Sequence, residues 1–150
     1  MAIDVTVEIV IDRPCAEVAA YAGDPGNAPV WYDNIDSVTW RTPPPVKVGS
    51  TMDFVARFLG RRLAYTYEVT ELEPDRRLVM RTVDGPFAMQ TTYTWTPVDG
   101  GRTRMALRNH GGPGGLARLA DPLAAWAARR ATGRDLAKLK RIVEGGAVRP

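Results

Sequence analysis

The 150 residues are 45% hydrophobic and 25% charged, a globular balance that excludes a disordered chain and suits one domain with a real core. Twenty basic against 17 acidic residues leave a net charge of +3, too small and too evenly spread to argue for nucleic-acid binding. There is no apolar run of the roughly 18 residues a membrane span needs, the opening "MAIDVTVEIVID" alternates instead of placing an apolar block after a basic one, and the single Cys15 can form no internal disulfide. The expectation is a cytoplasmic protein without an export signal.

Taken in chain order, "IDVTVEIVID" sets Ile3, Val5, Val7, Ile9 and Ile11 on one face of a first strand. "DRPCAEVAAYA" and the Pro- and Gly-punctuated "DPGNAPVWYDNI" read as two short helices in tandem, with Pro14 placed where a first turn tolerates it. "SVTW" is a second strand, closed by the prolines of "RTPPP". Strands and turns then continue to about residue 110.

Register follows from matching apolar faces. A two-residue turn at Gly60 and Arg61 sets Phe58 against Leu63, Ala56 against Tyr65, Phe54 against Tyr67 and Met52 against Val69. A four-residue loop over Glu73, Pro74, Asp75 and Arg76 sets Leu78 opposite Glu71 and Met80 opposite Val69. A turn at Asp84-Gly85 sets Thr82 against Phe87 and Met80 against Met89. A three-residue loop Asp99-Gly100-Gly101, with glycine at a left-handed position, pairs Trp95 with Met105, Tyr93 with Leu107 and Thr91 with Asn109. Five strands in a meander thus share one apolar face, and the two earlier strands bring the total to seven.

Helix formers run from Leu116 to Glu144, with Gly145-Gly146 as a stop and Pro122 as a kink or a fresh start capped by Asp121. Leu136, Leu139 and Val143 lie on one stripe, which continues backwards through Thr132, Ala128 and Ala125. The C-terminal half of this helix therefore seals a core. The N-terminal half offers small side chains to the sheet, which either interdigitate with the aromatic residues or leave a cavity.

The buried face of the meander is unusual for a filled core, because it carries Met, Thr and Tyr where Leu, Ile and Val would be expected. Phe54, Tyr65, Tyr67, Met80, Phe87, Met89, Tyr93 and Met105 supply apolar area, while Thr82, Thr91, Asn109 and the Tyr hydroxyls supply polar handles. That mixture fits a pocket wall, although Tyr and Met can also fill an irregular core with their polar ends at its rim. His110 has outward parity and reads as surface or pocket rim, Arg81, Arg102, Arg104 and Arg108 share that parity, and Trp126 lies off the core stripe. No metal-ligand spacing or phosphate-binding glycine pattern is present, so neither metal nor cofactor is expected. Gly111, Gly112, Gly114 and Gly115 read as a lid or a helix lead-in.

The order strand, two short helices, six-strand meander, long C-terminal helix resembles the START-like helix-grip (SRPBCC) superfamily, which includes polyketide cyclase/dehydrase proteins, pollen-allergen relatives and lipid-transfer domains. "IDRPCAEVAAYAGDP", "VWYDNI", "VGSTMDF", "VTELEPDRRLVMR" and "LAKLKRIVE" carry the resemblance across nearly the whole chain. It implies an α+β fold of a seven-stranded curved antiparallel sheet wrapped around the C-terminal helix. It also implies a hydrophobic small molecule or lipid between helix and sheet, with Trp31 placed where relatives narrow the mouth, unless it is a staple that holds the helix pair down; Ala128 of the traced stripe would then be on the helix side.

Three functions fit that resemblance: a carrier or sensor, a polyketide cyclase or dehydratase using the same cavity, and a protein-interaction module. For the enzyme, Tyr65, Tyr67, Tyr93 and Asn109 are the candidates to orient and polarise a carbonyl, since the expected interior holds almost no titratable group. An ionisable side chain in the pocket, bonded to a second polar group, would favour chemistry over carriage. A homodimer is one arrangement the sequence leaves open.

Overall fold

Alternating apolar and polar residues give strands with one wet and one dry face, and here they build one sheet. Its strands are β1 (Ile3–Ile11), β2 (Ile35–Trp40), β3 (Thr51–Phe58), β4 (Arg61–Glu73), β5 (Arg77–Asp84), β6 (Met89–Val98) and β7 (Arg102–Gly111). The computed structural model describes residues 3–58, 60–111 and 122–145. All neighbouring strands are antiparallel, in the order β1-β7-β6-β5-β4-β3-β2. Only the β1–β7 pairing joins strands distant in sequence, so β1 closes the meander from outside. This is the expected seven-stranded helix-grip architecture.

Between β1 and β2 lie α1 (Cys15–Ala22), a 3-10 turn over Pro25–Asn27 and α2 (Ala28–Trp31). The turn starts at Asp24, whose side chain accepts from the Gly26 N–H at 2.9 Å. α3 (Pro122–Glu144) crosses the concave face. The described part of α3 begins at Pro122; residues 112–121, including the Leu116 start and the Asp121 cap, and with them the choice between a kink and a fresh start at Pro122, lie outside the described residues.

The hairpins show how far alternation alone determines pairing. β6 and β7 pair as expected, with Trp95 opposite Met105, Tyr93 opposite Leu107 and Thr91 opposite Asn109. Gly100 and Gly101 both take left-handed conformations, φ 79° and 72°, in the connecting loop. The β3–β4 register differs by two residues: Phe54 faces Tyr65, Ala56 faces Leu63 and Met52 faces Tyr67, because the turn falls one residue earlier. β5 and β6 are likewise shifted by two, setting Met80 opposite Thr91, and Phe87 precedes β6 instead of pairing within it. Between β4 and β5, Met80 does face Val69, but an irregularity after Val69 moves Leu78 from Glu71 to Leu72. A slip of two preserves which side chains point inward, so the dry face survives the β3–β4 and β5–β6 corrections.

α3 packs closest on β1, with α1 and α2 as its next neighbours, and so stands off the middle of the sheet. Its C-terminal half is held tightly: Leu136, Leu139 and Val143 have no solvent exposure. Lys140 Nζ donates to the Val10 carbonyl at 2.9 Å, and the Asp12 N–H donates to Glu144 at 2.7 Å. No helix among the described residues is long and apolar enough to cross a membrane.

Candidate functional site

Where α3 carries alanine, the space it leaves is not filled. A cavity of about 250 Å³ lies between the sheet and the N-terminal half of α3. Its helix wall is Ala127, Ala128, Ala131, Thr132 and Asp135, of which Ala127 and Ala131 are exposed. Ala125, on the same expected stripe, is half-buried but does not line it.

The sheet wall is aromatic. Tyr65 is central: its ring stacks on Phe54 at 5.5 Å and meets Phe87 and Tyr67, each at 5.1 Å. These spacings are those of favourable offset and edge contacts. Val5, Phe87, Met89 and Ala128 pack together, and Met80 is buried in the wall.

Two polar groups are set into this surface. Thr91 Oγ1 donates to Asn109 Oδ1 at 2.6 Å, and with its one proton so used it accepts from the Tyr67 hydroxyl at 2.7 Å. On the α2 side, the Tyr32 and Tyr93 hydroxyls are 2.7 Å apart. That mutual bond uses one of two phenolic protons and leaves the other for a ligand. Burial is the first cause that pushes Tyr32, Tyr65, Tyr67 and Tyr93 above the ordinary phenol pKa. At neutral pH they are donors and not bases.

Among the described residues one carboxylate lies in the wall, a residue the sequence reading did not single out. Asp135 is 6% exposed, and its Oδ1 accepts from the Asp33 backbone N–H at 3.2 Å. Burial, followed by the neighbouring Asp33 charge, raises its pKa to about 6, against the opposing effects of the Asp33 N–H bond and Lys138. Lys138 Nζ lies 3.9 Å from Asp33.

Of the residues expected in the pocket, Phe54, Tyr65, Tyr67, Met80, Phe87 and Met89 are in its wall, as are Thr91, Tyr93, Asn109 and Ala128. Trp31 and Met105 are not: both are fully buried behind it, in the packed core. α2 ends at Trp31, so the indole packs inward and the next residue, Tyr32, faces the cavity. Tyr32 and Asp135 went unrecognised in the sequence. Helical spacing could have found Asp135, three residues after Thr132 and seven after Ala128 on the stripe already traced. His110 is half-buried on the other face, opposite Asp4 and Gln90, and does not line the cavity. Trp126 is 57% exposed, with Arg130 over its ring. Arg81, Arg102, Arg104 and Arg108 are exposed, and Arg108 is paired with Asp4. No cluster that could hold a metal occurs among the described residues.

The family model described as polyketide cyclase / dehydrase and lipid transport matches residues 2–144. Solved structures share the fold. Zhui aromatase/cyclase from Streptomyces sp. R1128 is similar with a TM-score of 0.80 at 14% identity, covering 99% of this chain and 98% of that one. A protein from Thermus thermophilus gives 0.78 at 18% identity, with 97% and 99% covered. A START superfamily protein from Mycobacterium smegmatis gives 0.70 at 13%, with 95% and 94% covered. No curated protein matches the sequence significantly.

Proposed function

The chain belongs to the polyketide cyclase / dehydrase and lipid transport family, and from that premise we propose that it is a carrier or sensor of a hydrophobic, ring-containing small molecule held between the sheet and α3. One observation carries this reading: a cavity of about 250 Å³ walled by aromatic rings and methionines, with its hydroxyls largely bonded to one another. A cavity of about 150 Å³ accepts benzene, and drug-sized ligands occupy about 300 Å³ or more. The size therefore favours one or two rings over a long-chain lipid. Mass spectrometry of small molecules released from the purified protein tests it. A ring compound recovered in stoichiometric amount is the expected result; recovery of acyl chains alone would contradict it.

Asp135 favours a second reading, a cyclase or dehydratase. Its carboxylate, bonded to the Asp33 N–H, could remove a proton from carbon next to a carbonyl, while the spare proton of the Tyr32–Tyr93 pair stabilises the enolate oxygen. Asn109 and Tyr67, already bonded through Thr91, would orient the substrate. Turnover of a short poly-β-ketone that Asp135→Asn abolishes, with binding retained, is the result this reading requires.

A further inference from the structure

The charge of the cavity wall is one-sided. Among the described residues that line it, Asp135 is the one side chain with a formal charge at neutral pH, and no Lys, Arg or His joins it. Oδ1 is occupied by the Asp33 N–H, which among the described residues is the single hydrogen bond to this carboxylate. The nearby charges do not neutralise it: Asp33 is a second carboxylate, and Lys138 reaches Asp33 instead. From the sheet side it is neighboured by Tyr93, a neutral phenol whose hydroxyl is bonded to that of Tyr32.

A carboxylate held 6% exposed with no salt bridge among the described residues, and only one backbone N–H and a more distant Lys138 to favour its charge, is an incompletely compensated cost to the fold. A site of this kind is completed by a ligand that brings the missing positive charge. We propose, on the reading that the cavity binds a ligand, that this ligand is a ring-containing amine whose ammonium group docks on Asp135 while its one or two rings lie among Phe54, Tyr65, Phe87 and Met89. The Asp135 end of the cavity suits an ammonium twice over. The carboxylate gives a charge-assisted hydrogen bond, and the electron-rich faces and oxygens of Tyr32 and Tyr93 attract the same cation. A carboxylic acid of the same shape would set like charges together away from water and be rejected.

Three probes of one shape decide this: 2-naphthylmethylamine, 2-naphthylmethanol and 2-naphthoic acid, each displacing the neutral dye N-phenyl-1-naphthylamine. At about pH 7.5, where Asp135 is ionised, the amine should bind at least about tenfold more tightly than the alcohol, with the acid weakest. Asp135→Asn keeps an oxygen for the Asp33 N–H and removes the charge, so amine affinity should fall to that of the alcohol while alcohol affinity stays within about twofold. On the unmodified protein the amine preference should also fade as pH is lowered through about 6, and this decides the matter even if the variant fails to fold. Equal affinity for amine and alcohol overturns the amine and leaves the cavity a binding site. A preference that survives in Asp135→Asn or at low pH overturns it too. Failure of the dye and all three probes to bind overturns the binding reading itself, and the amine with it.

Discussion

The two halves of α3 meet the same sheet and produce opposite interiors. Toward the C-terminus, Leu136, Leu139 and Val143 share a core with Ile11, Val18, Met52, Met105 and Leu107, all without exposure. Toward the N-terminus, Ala127, Ala128 and Ala131 line a cavity whose sheet wall includes Tyr65, Phe87 and Met89. The helix carries a similar stripe throughout. Side-chain volume at a few positions decides where the protein is solid and where it is hollow, since close packing fails once large wall residues are met by methyl groups.

Matched truncations give the largest effect. Leu139→Ala, in the solid half, should cost about 2–5 kcal/mol, whereas Met89→Ala merely enlarges existing space and should fall at or below the low end of that range. Thermal or denaturant unfolding of both variants checks the difference. Equal costs would mean the hollow half is packed.

Asp135 marks the border between the halves, and its effect depends on pH. Its pKa is raised from 3.8 to about 6, so the fold favours the neutral form. That contribution is fully present below about pH 4 and is lost as pH rises through about 6. Asp135→Asn should therefore stabilise the protein at about pH 7.5, by no more than about 3 kcal/mol, with the gain shrinking toward pH 4. Melting curves across that range check the sign. A variant less stable at high pH would show that the carboxylate is compensated in the fold.

The β6–β7 register sends Trp95 and Met105 to the solid half and Thr91 and Asn109 to the hollow one. Gly101, at φ 72° with nothing near its Cβ position, is part of the loop that holds this register. Gly101→Val should cost about 1–2 kcal/mol for purely conformational reasons. An unchanged melting point would mean the loop readily takes another geometry.

The same hairpin explains what the sequence made legible. Gly100 and Gly101 accept the left-handed conformations that a three-residue hairpin loop calls for, so the β6–β7 pairing could be read off residue by residue. At the β3–β4 and β5–β6 turns, alternation determines only parity, and a register two residues away satisfies it equally well. For that reason the inward-facing residues of the sheet were identifiable before their neighbours were. Tyr32 and Asp135 escaped for different reasons. Tyr32 lies outside any periodic element, at the end of a four-residue helix. Asp135 is a charged residue on a stripe otherwise read for apolar side chains, and the desolvation that makes it notable arises only once α3 is laid against the α2 segment.

The central claim, that the space beneath the alanines of α3 is a binding cavity, is tested most directly by titrating N-phenyl-1-naphthylamine into the native protein and into Met89→Trp. The account predicts saturable binding to the native protein. It predicts no binding to Met89→Trp, with a melting point unchanged or raised, because the indole occupies space that a packed core would lack. Absence of saturable binding to the native protein, or unfolding of Met89→Trp, would contradict it.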